Sequence, residues 1–286
     1  MAEPTPVCEA CGGAAPERLL SGLERVRICA DCGHLLRVGT GPRGVRAHAW
    51  GGRTGMDAVR LALTYRRVLR RRPAGEPDVL EIGFGAGALL RKLEERGARV
   101  AGVDAGLLEA SAAWRPREGK VWLGTIEEVE LPEAAFDLVF GIHVIEHLTD
   151  PRRVFAKCLR ALRPGGSVYF ITPNADSLGR RWFGARWWNF EDPTHTRFYT
   201  PRSLGRFLED AGFTGYGSAR LPLDSLALEV ASAARLFGSG DPEHGIMARP
   251  AVPALAAAAL PLTLLGRALV PGIAPSMEAW ARRPHA

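Results

Sequence analysis

The sequence predicts an α/β protein: a doubly wound sheet of parallel strands, preceded by a small cysteine module. Three observations carry this expectation. From residue 77 short apolar runs alternate with helical segments, and that alternation implies parallel strands joined by right-handed crossovers. A glycine-rich turn, Gly83-Phe-Gly85-Ala-Gly87, follows the first of those strands. Ahead of both, four cysteines form two pairs, Cys8-x-x-Cys11 and Cys29-x-x-Cys32. The 286 residues are 47% apolar and 24% charged. They suit one full α/β domain plus an appendage, or two modest domains, and exclude global disorder, collagen-like repeats and a multi-span membrane protein. A net charge of +6 permits an anionic partner without requiring one.

Residues 1–40 form the cysteine module. The opening Met1-Ala-Glu-Pro-Thr-Pro has neither a basic nor an apolar leader region, so the expected location is cytoplasmic. There, paired CxxC knuckles read as metal ligands rather than disulfides. Cys8, Cys11, Cys29 and Cys32 together offer the four soft donors that a structural Zn²⁺ takes at tetrahedral corners. Gly12, Gly13 and Gly33 supply flexible backbone beside the knuckles. Cys158, on a predicted helix, is a core filler.

Residues 41–76 are a linker and a leading helix. The linker, Gly39-Thr-Gly-Pro-Arg-Gly-Val-Arg, is rich in glycine and arginine. Met56 to Arg72 has helical spacing, and its Arg66, Arg67, Arg70, Arg71 and Arg72 read as a solvated face in preference to a nucleic-acid contact. Residues 77–286 make the main domain. Strands are predicted at Asp78–Ile82, Arg99–Asp104, Lys120–Leu123, Phe136–Ile142, Ser167–Thr172 and Phe213–Leu221. Helices fall at Ala88–Arg96, Leu107–Ala113, Asp150–Leu162 and Pro201–Ala211. Asp150 is the N-cap of its helix, Pro151 the first helical residue, and Arg163-Pro-Gly-Gly the stop. Ala251 to Gly266 is uncharged and rich in Ala and Leu. It is too short for a span and is broken by Pro253 and Pro261, so a buried or interfacial helix pair is expected.

The chemistry begins at Glu81-Ile-Gly83-Phe-Gly85-Ala-Gly87. Glycines there let the backbone turn tightly and approach a ligand. By themselves they also fit a dinucleotide fingerprint. A carboxylate at Glu81 would repel a pyrophosphate, yet it suits a ligand carrying ammonium and sulfonium groups. Asp104, closing the second strand, is placed either to accept ribose hydroxyls or to cap the turn after it.

These residues, with Phe136-Asp-Leu-Val, His143-Val-Ile-Glu-His147-Leu, Leu162-Arg-Pro-Gly-Gly and Ile171-Thr-Pro-Asn174, resemble the class I S-adenosylmethionine-dependent methyltransferases. Within that family the likeness is to the ubiquinone-biosynthesis O-methyltransferases, here with a zinc-ribbon-like segment ahead. The resemblance implies a Rossmann-like, mostly parallel sheet of seven strands with the last strand antiparallel. Ser276-Met-Glu-Ala-Trp-Ala-Arg-Arg stands as that strand, and 222–274 as an apolar helical insertion before it. By similarity Glu81, Gly83, Phe84, Gly85 and Gly87 would surround the methionine half of S-adenosylmethionine. Asp104 would bind its ribose, and Ala105, Thr125 and Ile126 would flank the adenine. His143 would face the methyl group. Many relatives place an acid near Thr125 for the adenine amino group; here Glu127 or a backbone carbonyl must substitute.

His143-x-x-Glu146-His147 lies just past the fourth strand, and His195 returns later in Glu191-Asp-Pro-Thr-His195. The grouping also resembles small-RNA 2′-O-methyltransferases, whose Glu-x-x-Glu-His and distant His hold a divalent ion; His143 replaces the first Glu. His147 or His195 is therefore either a general base for a hydroxyl acceptor or, with Glu146, a ligand of a divalent ion. Purely structural roles, such as a helix cap, stand beside both. The aromatic segment Arg181-Trp-Phe-Gly-Ala-Arg-Trp-Trp-Asn-Phe is either a substrate lid or part of the core. The resulting expectation is O-methylation of a small or lipid-linked metabolite, with peripheral membrane contact through 222–274. The alternatives are an RNA methyltransferase, a nicotinamide oxidoreductase and a non-catalytic S-adenosylmethionine-binding module.

Overall fold

The computed structural model describes residues 5–20, 24–39, 55–106, 115–238, 240 and 245–285. The helix expected at Leu107–Ala113 and nearly all of the glycine–arginine linker lie outside them. The chain divides into two compact units. Met1–Arg46, Thr172–Arg206 and Ala219–Met277 form one, here the ribbon unit. Ala47–Ile171, Phe207–Ser218 and Glu278–Ala286 form the other, the sheet unit.

The cysteine module folds as three short antiparallel strands, β1 (Glu17–Leu20), β2 (Glu24–Ile28) and β3 (Leu35–Arg37). Helix α1 (Gly55–Arg71) follows. The alternating region then runs β4 (Asp78–Ile82), α2 (Ala88–Glu94), β5 (Arg99–Asp104), β6 (Val121–Leu123), β7 (Phe136–Ile142), α3 (Pro151–Ala161) and β8 (Leu162–Pro173). After β8 come α4 (Leu178–Phe183), β9 (Arg197–Phe198), α5 (Pro201–Asp210), β10 (Thr214–Leu221), α6 (Leu228–Ala234), α7 (Ala251–Leu269) and β11 (Ser276–Arg282).

Seven strands form one sheet in the order β10-β11-β8-β7-β4-β5-β6. The pairs β4–β5, β4–β7, β5–β6 and β7–β8 are parallel. Strand β11 runs against β8: Gly165 bonds Arg283 and Asn174 bonds Pro275, so one number rises as the other falls. Because β4 and β7 are neighbours while the chain leaves β4 toward β5, strand order reverses between them. Ligands of open α/β sheets bind in the crevice beyond the carboxyl ends at such a reversal. The turns after β4 and β7 therefore flank the expected site, and β4 itself is buried on both faces from Val79 to Ile82.

Asp150 caps α3, its side chain accepting the Arg153 amide at 3.0 Å, with Pro151 in the first turn. Strand β8 begins at Leu162, earlier than the Ser167 expected from sequence. Its register jumps, Phe136 pairing Leu162 but Leu138 pairing Ser167. The intervening residues bulge because Pro164 has no amide to donate and Gly165 takes φ +78°. The bulge carries Arg163 to Asp78 and Asp137, at 2.8 and 2.9 Å.

In the ribbon unit β9 pairs with β3, Phe198 opposite Leu35 and Arg197 opposite Leu36, making a four-stranded sheet β1-β2-β3-β9. Val26 and Leu35 of that sheet pack with Trp187, Phe190, Phe198 and Leu228. The aromatic segment is thus mainly core: Trp187 is wholly buried and its ring meets Phe190 edge-on at 5.7 Å. Trp182 alone of its three tryptophans is exposed. Truncating Trp187 leaves a large void, so Trp187→Ala is expected to cost about 3–5 kcal/mol in denaturant unfolding.

Candidate functional site

The turn after β4 is built from three left-handed glycines. Gly83, Gly85 and Gly87 have φ of +73°, +52° and +71°, values that L side chains rarely take. The Gly83 amide extends the sheet by donating to the Val103 carbonyl at 2.7 Å. A Cβ on Gly83 would stand 3.0 Å from a methyl of Val144, whereas one on Gly85 would meet nothing within 4 Å. Packing thus demands glycine at 83, and open space lies beside 85. Phe84 turns inward and is buried, its ring filling the space that a side chain on Gly102 would take.

Glu81 lies one residue before the end of β4 and is 3% exposed. Its Oε2 has no hydrogen-bond partner among the described residues. Burial raises its carboxyl well above the usual 4.5, and the charge of Asp104 adds to the rise. Asp104 accepts the Gly85 amide at 2.8 Å with one oxygen and the Gly106 amide at 3.0 Å with the other. The acid closing β5 therefore holds the glycine turn in place, which adds to either role that the sequence offers it.

Ala105 is exposed. Beyond β6, Thr125 is exposed too, and its amide and hydroxyl donate to Glu128, while Ile126 is buried. Glu127 accepts the Thr149 amide at 2.9 Å. What sequence reasoning missed is Lys157. It sits among the buried residues of α3, and its ammonium donates to the carbonyls of Ile126, Glu127 and Val129 at 2.8, 3.0 and 2.6 Å. Its one sequence signal is a lysine inside the apolar stripe of an amphipathic helix. A cavity of about 650 Å³, lined by Asp78, Arg99, Lys120 and Trp122 among others, lies toward the amino ends of the strands and touches none of the expected site residues.

A family model for the methyltransferase domain matches residues 56–216, more than half of the chain. The chain belongs to the methyltransferase-domain family. It is 38% identical over 159 residues to a probable S-adenosylmethionine-dependent methyltransferase of Mycolicibacterium smegmatis, covering 54% of this chain and 58% of that protein. It is 31% identical over 150 residues to the ubiquinone biosynthesis O-methyltransferase of a Pseudomonas fluorescens strain, covering 48% of this chain and 64% of that one. The chain thus spans about three fifths of the length of these curated relatives. A solved S-adenosylmethionine-dependent methyltransferase of Archaeoglobus fulgidus shares the fold, with a TM-score of 0.52 and 21% identity over 80% of this chain and 95% of its own.

S-adenosylmethionine, the cofactor of this methyltransferase family, fits the residues present. It is a cation, and the crevice holds a buried carboxylate oxygen without a partner beside a glycine turn with room above it. At the end of β7, His143 takes φ +52°, a strained conformation for a residue with a side chain. Its amide donates to the Ile171 carbonyl at 2.8 Å, and its Nδ1 is 3.3 Å from Oε1 of the fully buried Glu146. Donation from Nδ1 to an ionised Glu146 would fix the tautomer of the ring. His147 follows in the same turn, half-buried. His195 belongs to the ribbon unit, where its Nδ1 donates to the Asn189 carbonyl at 2.9 Å.

The raised Glu81 gives a pH signature. The folded protein keeps a proton that the unfolded chain releases near pH 4.5. The contribution of Glu81 to the stability of the cofactor-free protein is therefore fully present below that pH and is lost as pH rises from there through the folded value. A bound cation reverses the preference, so cofactor affinity should rise over the same window. Glu81→Gln is expected to flatten both pH profiles and to weaken S-adenosylmethionine binding by about ten- to a hundredfold, read by calorimetry and thermal melts.

Proposed function

We propose that this methyltransferase transfers the methyl group of S-adenosylmethionine to a hydroxyl of a small or lipid-linked acceptor. The observation that carries the reading is the unpartnered Glu81 oxygen at the strand-order reversal, next to the open side of Gly85. When bound, the cofactor supplies a methyl group on a positively charged sulfur. Glu81 balances the cationic methionine half. Gly83 and Gly85 let the backbone approach it, and Asp104 keeps the turn in shape and faces the ribose. Lys157 holds the 126–129 backbone that flanks the adenine. The likeness to a ubiquinone biosynthesis O-methyltransferase supports oxygen as the acceptor atom.

Displacement at a methyl group needs alignment and, for a hydroxyl, removal of its proton. His143 is the proposed proton acceptor, with Glu146 fixing its tautomer and ring orientation. Label transfer from methyl-labelled cofactor, screened over phenols, sugars, lipid-linked phenols and RNA, tests the reading. Transfer to a hydroxyl is expected, with kcat lowered about 10²- to 10⁴-fold in His143→Ala and cofactor affinity little changed. Normal kcat in that variant, alongside a large loss in His147→Ala or His195→Ala, would move the base to another histidine. Transfer to RNA alone, falling steeply with salt, would replace the small-molecule acceptor. Arginines interleaved with aromatic rings, as in residues 181–190, would suit stacking on RNA bases, but that segment is largely core in the ribbon unit.

The ribbon unit is proposed to hold one structural zinc ion. The Sγ atoms of Cys8, Cys11, Cys29 and Cys32 all lie within 4.8 Å of one another. The Cys8–Cys32 and Cys11–Cys29 separations are 3.6 and 3.5 Å, close to the roughly 3.8 Å edge of a tetrahedron with 2.3 Å Zn–S bonds. Both knuckles close alike: Gly12 donates to the Cys8 carbonyl and Gly33 to that of Cys29, each glycine left-handed. The knuckles are tied to the His195 segment. Thr200 donates to the Cys32 carbonyl at 2.6 Å, Arg37 to the carbonyls of Asp192 and Phe190, and Arg197 forks onto Glu9 at 2.7 and 3.0 Å. Elemental analysis should find one zinc per chain. Chelation or Cys29→Ser should raise amide exchange at residues 187–200 together with residues 5–37.

A further inference from the structure

Helix α7 turns its apolar residues outward. Its inward side carries Val252, which packs with Ala231 and Ile246, together with Ala256 and Arg267. Arg267 is 1% exposed and all of its donors are used. Nε and Nη2 fork onto Glu229, Nη2 also reaches the Ser225 carbonyl, and Nη1 reaches those of Pro222 and Asp224. Every exposed residue from 251 to 271 is Ala, Leu, Val or Pro. Leu255, Ala258, Leu262, Leu265 and Leu269 recur at helical spacing along this side, and Leu262 is 74% exposed.

The helix is about 28 Å long, with a mean hydropathy of 1.6 that would suit a span. Arg267 forbids one, because crossing a bilayer would break its five bonds or drag Glu229 and α6 into hydrocarbon. The outward face also lacks what a protein partner needs. Protein interfaces carry about one hydrogen bond per 100–200 Å² and are anchored by Trp, Tyr and Arg, whereas this face offers no polar side chain. Apart from the Ala257 carbonyl, which Pro261 has no amide to meet, the interior of the helix can bond its own backbone, as acyl chains demand. At the helix start Arg249 is exposed, its guanidinium 3.2 Å from where a Gly238 side chain would begin. Phe237, next to Gly238, is 86% exposed. A cation and an aromatic ring at the end of a face that carries no acid from 251 to 271 complement anionic headgroups.

We propose that α7 lies flat on an anionic lipid surface, its outward face in the acyl boundary and Arg249 and Phe237 among the headgroups. The idea rests on the lipid-linked acceptor reading for its purpose, since docking would bring the ribbon unit to the layer that holds such an acceptor. Flotation of the full chain with phosphatidylcholine vesicles, with and without phosphatidylglycerol, tests it. Flotation with the anionic vesicles is expected, weakened by salt and reduced at least about tenfold in Leu262→Glu/Leu265→Glu. Circular dichroism and a thermal melt matching those of the unaltered chain show that the variant is folded. Hydrogen exchange of the unaltered chain should show vesicle-dependent protection over 251–271. A chain that stays out of the vesicle fraction overturns the proposal, as does a dimer in light scattering that the double variant splits without any flotation. Vesicle binding without methyl transfer to a lipid-linked acceptor would instead count against the acceptor reading alone.

Discussion

A buried carboxyl group with one oxygen unpartnered among the described residues is the constraint around which the sheet unit is arranged. Glu81 sits on a strand covered on both faces, where an ionised carboxyl loses hydration and nothing among the described residues replaces it at Oε2. In the cofactor-free protein such a group keeps its proton until something outside the chain supplies a counter-charge. The neighbouring features keep that something admissible. Gly83 withdraws from Val144, Phe84 folds under β5, and Gly85 leaves the adjoining space open. Asp104 then fixes the turn through two amides rather than one. A side chain at any of the three left-handed glycines would strain the turn or crowd the approach to Glu81.

Much of this was legible because it is local. Asp78–Ile82, Arg99–Asp104 and Phe136–Ile142 occupy the spans that their apolar runs predict, and Asp150 with Pro151 starts α3 where the capping chemistry says it should. The glycine turn, Glu81 and Asp104 form a local pattern for the same reason: one β–α–β unit brings them together. What escaped notice depends on partners distant in sequence. No periodicity tells that β9, a two-residue strand, completes the sheet of the cysteine module, or that Lys157 reaches three carbonyls some thirty residues earlier in the chain. The inward turn of Phe84 was equally hidden, since it answers to the missing side chain of Gly102 on another strand. The start of β8 escaped for a different reason. Arg-Pro-Gly-Gly carries helix-stop residues, and those same residues also make a bulge inside a strand.

The cysteine module is more than an appendage ahead of the catalytic fold. Its third strand pairs with β9, its Glu9 holds Arg197 and His34, and its Arg37 caps two carbonyls of the 190–192 turn. Burial alone would raise Glu9, yet the hydrogen bonds from His34 and Arg197 hold it at about 2. Ion pairs of this kind, half-buried and forked, are worth more than surface pairs because water competes less for them. A metal that fixes four cysteines in such a sheet fixes the strand paired with it, and with that strand the turn bearing His195. That is a mechanical reason for residues so far apart in the chain to be organised together.

Three buried charges show how structure and function separate in this chain. Lys157 and Arg267 are each surrounded by acceptors, three carbonyls for one and three carbonyls plus a carboxylate for the other. Both have been desolvated and fully repaid in hydrogen bonds, so their work is complete within the fold: one shapes a loop, the other lays a helix along its unit. Glu81 is desolvated to a similar degree and lacks the compensation. The difference is not one of burial or of charge but of closure, and under the proposed function closure separates a group that the protein uses on itself from one that it keeps for a ligand. The apolar face of α7 repeats the logic with the sign of polarity changed. There too a surface has been built at a cost in water, and nothing in the described chain answers it.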